Sequence, residues 1–197
     1  MTPRSLKLNK YGLESLIRRS QKWLHDYEPQ RVWYPKELYS WNKSIEEAMP
    51  YYKKAFESNR NSFIKDDVHR NNNIYAIWCE SRPYSKEWDL KYIGQRHSSG
   101  IKERLKNHLF GAPFGEGPKP TSKFYVLHET LQMNKMIYVS YVKVEPEPLR
   151  TFIEHSLICV NKKLGYNMWN SHGAANVDND INELDSYGLN VSKLIKT

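Results

Sequence analysis

Leu13, Leu16, Ile17, Leu24 and Tyr27 recur at helical spacing while Arg18, Arg19 and Lys22 fall on other faces, a pattern that predicts an amphipathic helix over 12–27. A second helix is expected over about 44–59. Ser44-Ile45-Glu46-Glu47 fits the Ser/Thr-x-x-Glu capping box, Tyr52, Ala55 and Phe56 continue an apolar stripe, and Pro50 is tolerable only near a first turn. Residues 61–73 are mostly polar and end in three consecutive Asn, turn chemistry that marks a boundary. Beyond it the period changes. Ile74-Tyr75-Ala76-Ile77-Trp78-Cys79 and Leu90-Lys91-Tyr92-Ile93-Gly94 are short β-branched and aromatic runs, separated by polar residues 80–89, and predict an antiparallel hairpin with a long loop. Ser98-Ser99-Gly100 offers a cap for a helix over 101–109, residues 111–120 read as loop, and Phe124, Leu127, His128 and Leu131 suggest a further helix. Residues 136–144 form the clearest strand pattern. Pro146 and Pro148 then open a helix with the apolar face Leu149, Phe152, Ile153, Leu157, Val160 and Leu164, closed by Gly165.

From residue 74 the order is β-β-α-α-β-α, which predicts an α+β fold: a small central sheet of about three strands, an antiparallel hairpin plus a third strand, flanked by helices. Residues 1–72 form a helical N-terminal extension, 73–172 the core and 173–197 a C-terminal tail. At 197 residues the chain is one domain, and six Trp, fourteen Tyr and six Phe supply a core despite a mean hydropathy of −0.78. No apolar run reaches the roughly 18 residues of a membrane span, and the start lacks a secretory stretch, so no membrane partner and a cytoplasmic location are expected. Cys79 and Cys159 stand in apolar surroundings without a Cys-x-x-Cys and read as buried thiols. Lys and Arg outnumber Asp and Glu by 30 to 22, a net +8 that favours a polyanionic partner. The excess is not uniform. Residues 1–73 hold 14 basic against 9 acidic side chains and 74–120 hold 8 against 5, whereas 166–197 hold 2 against 4.

Certain residues stand in an order that carries chemistry. Asn73-Ile74-Tyr75 opens the first hairpin strand, and Tyr92-Ile93-Gly94 closes the second. Arg104 and His108 follow four apart on one helix, Glu154 lies in the last long helix, and Asn170 comes 16 residues later. The chain in this respect resembles the GIY-YIG nucleases, with Asn73 where that family usually has Gly. The resemblance covers about residues 73–172. The long hairpin loop, the Arg104–His108 run and the Met168-Trp169-Asn170 ending make it most similar to the restriction-endonuclease branch. It implies an Mg²⁺-dependent, sequence-specific type II endonuclease acting on double-stranded DNA, as a homodimer on a palindromic site. The alternatives are a phage or homing-type endonuclease and a catalytically inactive nucleic-acid-binding module.

Phosphodiester hydrolysis needs charge on the phosphate, a positioned water and help for the leaving oxygen. Arg104 and His108, on one helical face, suit the phosphate. Glu154 is the expected oxygen ligand for one Mg²⁺, with Mn²⁺ a possible substitute, because only one such carboxylate is evident. Tyr75 is expected to orient or activate the attacking water beside Tyr92, assisted by Lys91 or Lys86, although a phenol of reference pKa about 10 is a poor base unless cations depress it. Asn170 completes the catalytic set. Phosphate contacts are expected from Arg96, His97, Lys102, Lys106 and Lys119, and DNA contacts also from Asn170 and His172, the latter in an Asn-rich stretch suited to reading bases. No glycine loop or His-Glu-x-x-His suggests a nucleotide or zinc site, and no small organic cofactor is expected. Arg18, Arg19, Lys22, Lys53 and Lys54 suit an N-terminal arm that wraps DNA or meets a second subunit, and a plain scaffold for a small core is the alternative.

Overall fold

The computed structural model describes residues 5–39, 42, 44–59, 72–96, 101–111, 122–170 and 182. Among them, five strands and five α-helices follow in this order: β1 (Ser5–Lys7), α1 (Gly12–Asp26), β2 (Gln30–Arg31), α2 (Ile45–Asn59), β3 (Ile74–Glu80), β4 (Trp88–Gln95), α3 (Ile101–Phe110), α4 (Ser122–Gln132), β5 (Ile137–Glu145) and α5 (Arg150–Lys163). The sheet runs β1-β5-β3-β4, with β2 also paired to β5. β3 is antiparallel to both β4 and β5, as the hairpin pattern predicts, whereas β1 lies parallel to β5.

β3 is buried along its whole length, so its alternating side chains feed two separate cores. Ile74, Ala76 and Trp78 pack with Leu90, Ile93 and Val142 beneath α1 and α5, through Leu16, Ile17, Trp23, Leu24, Ile153 and Leu157. Tyr75, Ile77 and Cys79 face the other way. They meet Tyr92, Ile137 and Val139 under α2, α3 and α4, through Tyr52, Ala55, Leu105, Leu109, Phe124 and Leu127. The result is a sheet between two helical layers. Both cysteines are free and buried, and no helix among the described residues is long and apolar enough to cross a membrane.

The sheet is larger than the three strands expected, and the difference comes from the N-terminal segment. β1 and β2 both lie on the outer edge of β5, β1 against Lys143–Glu145 and β2 against Tyr138 and Val139. α1 supplies one core and α2 the other, so the described part of residues 1–72 is integral to the fold rather than an arm standing off it. The Ser44 capping box forms, with the Ser44 N–H donating to Glu47 Oε2 at 3.0 Å and the Glu47 N–H to Ser44 Oγ at 3.3 Å. Pro50 lies inside α2, beyond the first turn, where its missing donor costs an intrahelical bond.

Asn73 has a structural account of its own. Its Nδ2 donates to the Val144 carbonyl and its Oδ1 accepts from the Val144 N–H, both at 2.8 Å, extending the β3–β5 ladder through a side chain. Glycine cannot do this. Asn73→Ala and Asn73→Gly are expected to strip two buried bonds and to cost about 2–4 kcal/mol, since each buried group left unpaired costs about 1–3 kcal/mol. Urea unfolding checks this: the midpoint should fall with an unchanged slope.

Candidate active site

The register of the hairpin sets the site. Tyr75 on β3 stands opposite Gly94 on β4, and Ile77 stands opposite Tyr92. A Cβ added at Gly94 would lie 2.4 Å from both Cζ and Oη of Tyr75 and 2.8 Å from Cε1 of Tyr92. The absence of a side chain at residue 94 is what allows the Tyr75 ring to lie across β4. The Tyr75 and Tyr92 ring centroids are 5.9 Å apart, and His108 from α3 packs 6.2 Å from the first and 5.2 Å from the second.

Arg104, one turn before His108, is the hub. Its guanidinium acts on the Tyr75 and Tyr92 hydroxyls, on His108, on Glu154 of α5 and on Lys123 of α4. Burial works against its charge, but the two phenols outweigh that and hold its pKa up. The Tyr75 hydroxyl is buried and meets no partner at hydrogen-bonding geometry, although Tyr92 and Arg104 stand near enough to act on it. Burial and then Tyr92 push its pKa well above the usual phenol value, and Arg104 opposes them. His108 is pushed down to about 3 by burial, then by Arg104 and Lys123, so it is a neutral imidazole near pH 7. The charge offered to an anion therefore comes from Arg104. Glu154 is raised to about 7 by burial, with the Gln95 backbone N–H and Arg104 pulling the other way.

Asn170 arrives by a defined route. α5 ends in a left-handed Gly165, φ +92°, with the Gly165 N–H bonded to the Lys162 carbonyl and the Tyr166 N–H to the Asn161 carbonyl, the two bonds of a Schellman close. The chain then runs back along the free edge of β4, where the Trp169 N–H donates to the Lys91 carbonyl. Asn170 Oδ1 accepts from the Ile93 N–H at 3.0 Å and its Nδ2 donates to the Ile93 carbonyl at 2.7 Å. Its amide is thus spent on the backbone between Tyr92 and Gly94. In this structure it positions those residues. Comparison with protein-family models, curated proteins and solved structures finds no match to this chain.

Five of the seven expected catalytic residues, Tyr75, Tyr92, Arg104, His108 and Glu154, converge, and Asn170 braces them. Lys91 does not join them. The register shifts between Ile77 and Trp78, leaving Lys91 as an extra residue in β4, and its Nζ pairs with Asp89 at 3.4 Å. Lys86 is exposed in the hairpin loop, at the far end of the strands from Tyr75. Of the expected DNA contacts, Arg96 is exposed just past β4, its N–H bonded to the Asn73 carbonyl, and Lys106 lies 5.0 Å from the Phe56 ring centroid. His97, Lys119 and His172 lie outside the described residues, as does the side chain of Lys102.

One residue of the cluster is not signalled by the sequence. Lys123 Nζ sits 5.6 Å from the Tyr92 ring centroid and donates to the Trp169 carbonyl. A single cation at the start of an apolar helix has no motif to announce it. Among the described residues, no three His, Cys, Asp or Glu side chains gather into a metal-binding group. Glu154 is nonetheless suited to Mg²⁺, which keeps most of its waters and takes one or two carboxylates with substrate phosphate. It is a partly buried carboxylate whose charge lacks a full partner, as its raised pKa reports.

Proposed function

We propose that this chain is an Mg²⁺-dependent endonuclease that hydrolyses phosphodiester bonds in double-stranded DNA, sequence-specifically and as a type II restriction enzyme acting as a homodimer. The observation that carries this reading is the meeting of Arg104 with Tyr75, Tyr92, His108 and Glu154, brought from two strands and two helices to one guanidinium. Arg104 stabilises the charge that grows on the phosphate oxygens. Tyr75 and Tyr92 orient the attacking water as neutral phenols, Tyr75 being kept protonated by burial. His108 remains neutral and packs the two rings in place. Glu154 would hold Mg²⁺, which supplies charge neutralisation at the phosphate and the leaving oxygen. The net charge of +8 favours a polyanionic substrate.

Digestion of unmodified phage DNA, with Mg²⁺ or with EDTA and with the fragment ends sequenced, tests the proposal. Discrete metal-dependent fragments sharing one short terminal sequence are expected. Intact DNA in Mg²⁺ and in Mn²⁺, with salt-sensitive binding retained, would replace the enzyme by a binding module.

A further inference from the structure

Lys123 and Arg104 are two cations brought to one place, Arg104 one turn before His108, whose ring packs 5.2 Å from that of Tyr92, and Lys123 over the same Tyr92 ring. Neither forms an ion pair among the described residues. Both lower the pKa of the buried His108, and burial and then Arg104 lower that of Lys123. Folding gains nothing from pressing like charges together in a partly desolvated place. Such an arrangement persists where an anion will occupy it, and the groups around it are phenols, an imidazole, backbone carbonyls and the Glu154 carboxyl, which burial raises to about 7. Lys123 is also held in position, over the Tyr92 ring at 5.6 Å and on the Trp169 carbonyl. An ammonium carries three N–H donors, and that carbonyl takes one of them.

We propose that Lys123 is a second backbone contact of the site, its ammonium binding the phosphate adjacent to the one that Arg104 holds. This rests on the nuclease reading above and adds a residue to it.

The test is the salt dependence of binding to a 20-base-pair mixed-sequence duplex in EDTA, for the wild type, Lys123→Met and Lys123→Arg. Removing one phosphate contact should reduce the slope of log K against log [salt] by about 0.9, and arginine should restore it. A purely structural lysine, serving only to fasten Trp169, would lower the melting temperature of Lys123→Met and leave its slope at the wild-type value, which would overturn the proposal. A flat wild-type plot would instead overturn the DNA reading itself. A second measurement needs no variant. Acetic anhydride labelling of the wild-type chain, mapped by peptide mass, should modify Lys123 less when the duplex is saturating, and labelling undiminished by the duplex would also overturn the proposal.

Discussion

Glu154→Gln is expected to lower DNA cleavage by about 10³-fold or more while making the folded chain more stable at pH 8, the loss being of the size seen when a group central to transition-state charge is removed. The two effects share one cause. Burial raises the carboxyl from 4.5 to about 7, so the folded chain keeps a proton over that range that the unfolded chain has already released. For an acid with a raised folded-state pKa, this favourable contribution is complete below pH 4.5 and is lost as pH rises through 7. At pH 8 the ionised carboxylate thus costs the fold on the order of 2 kcal/mol, at about 1.4 kcal/mol per unit of displacement with some allowance for partial exposure. Glutamine keeps the shape and cannot ionise. The variant should therefore melt above the wild type at pH 8, and the difference should shrink towards zero near pH 4.5. Mg²⁺ should narrow the gap from the other side by stabilising the wild type at pH 8 and leaving the variant unmoved. Equal Mg²⁺ shifts in the two proteins would remove Glu154 as the metal ligand, and a variant that melts lower at pH 8 would show that the residue serves the fold.

The parts of this architecture that could be read from the sequence are those whose information is local. α1 and α2 show their helical period, α2 its capping box, and β3 to β5 their β-branched runs, and each has the predicted type. β1 and β2 could not be read. Three residues, Ser5–Lys7, and two, Gln30–Arg31, are too short for a period of two to register, and they are strands only because the edge of β5 was left open, more than a hundred residues later in the chain. The site divides the same way. Tyr75, Tyr92, Arg104, His108 and Glu154 stand out through their order along the chain, although nothing local says that they meet. Lys91 looks equivalent to its neighbour Tyr92 until the register shift carries it to Asp89. Lys123 enters the site only because α4 lays its first turn beside Tyr92 and Trp169. Asn73 reads as a departure from a glycine motif, yet its amide has the Val144 backbone to pair with, which explains the choice of residue without reference to catalysis.

Gly94→Ala should be the most disruptive small substitution in the hairpin. The added methyl would stand 2.4 Å from two atoms of Tyr75, far inside contact distance. A flexible side chain would swing away, but the Tyr75 ring is fully buried and packed against Tyr92 and His108, so the strain must move β4 or tilt all three rings. Overpacking of this kind costs about 1–3 kcal/mol, and a position facing a rigid buried ring belongs at the upper end. Cleavage should fall further than stability does, because a shift of about 1 Å at a catalytic group can cost on the order of 10²-fold in rate. The cause can be isolated with a double-mutant cycle. Tyr75→Ala alone opens a cavity and should cost about 3–5 kcal/mol, as truncation of a large buried aromatic does. Gly94→Ala added to it is freed of the closer clash and keeps only the 2.8 Å approach to Tyr92 Cε1, so the second substitution should cost clearly less than it does alone, a coupling of at least about 1 kcal/mol between the two positions. The double variant would recover that increment of stability and none of the activity, since the phenol is gone. Additive losses would instead place the requirement for glycine in the Tyr92 ring or the backbone of β4, and Tyr75 would owe its position to some other contact.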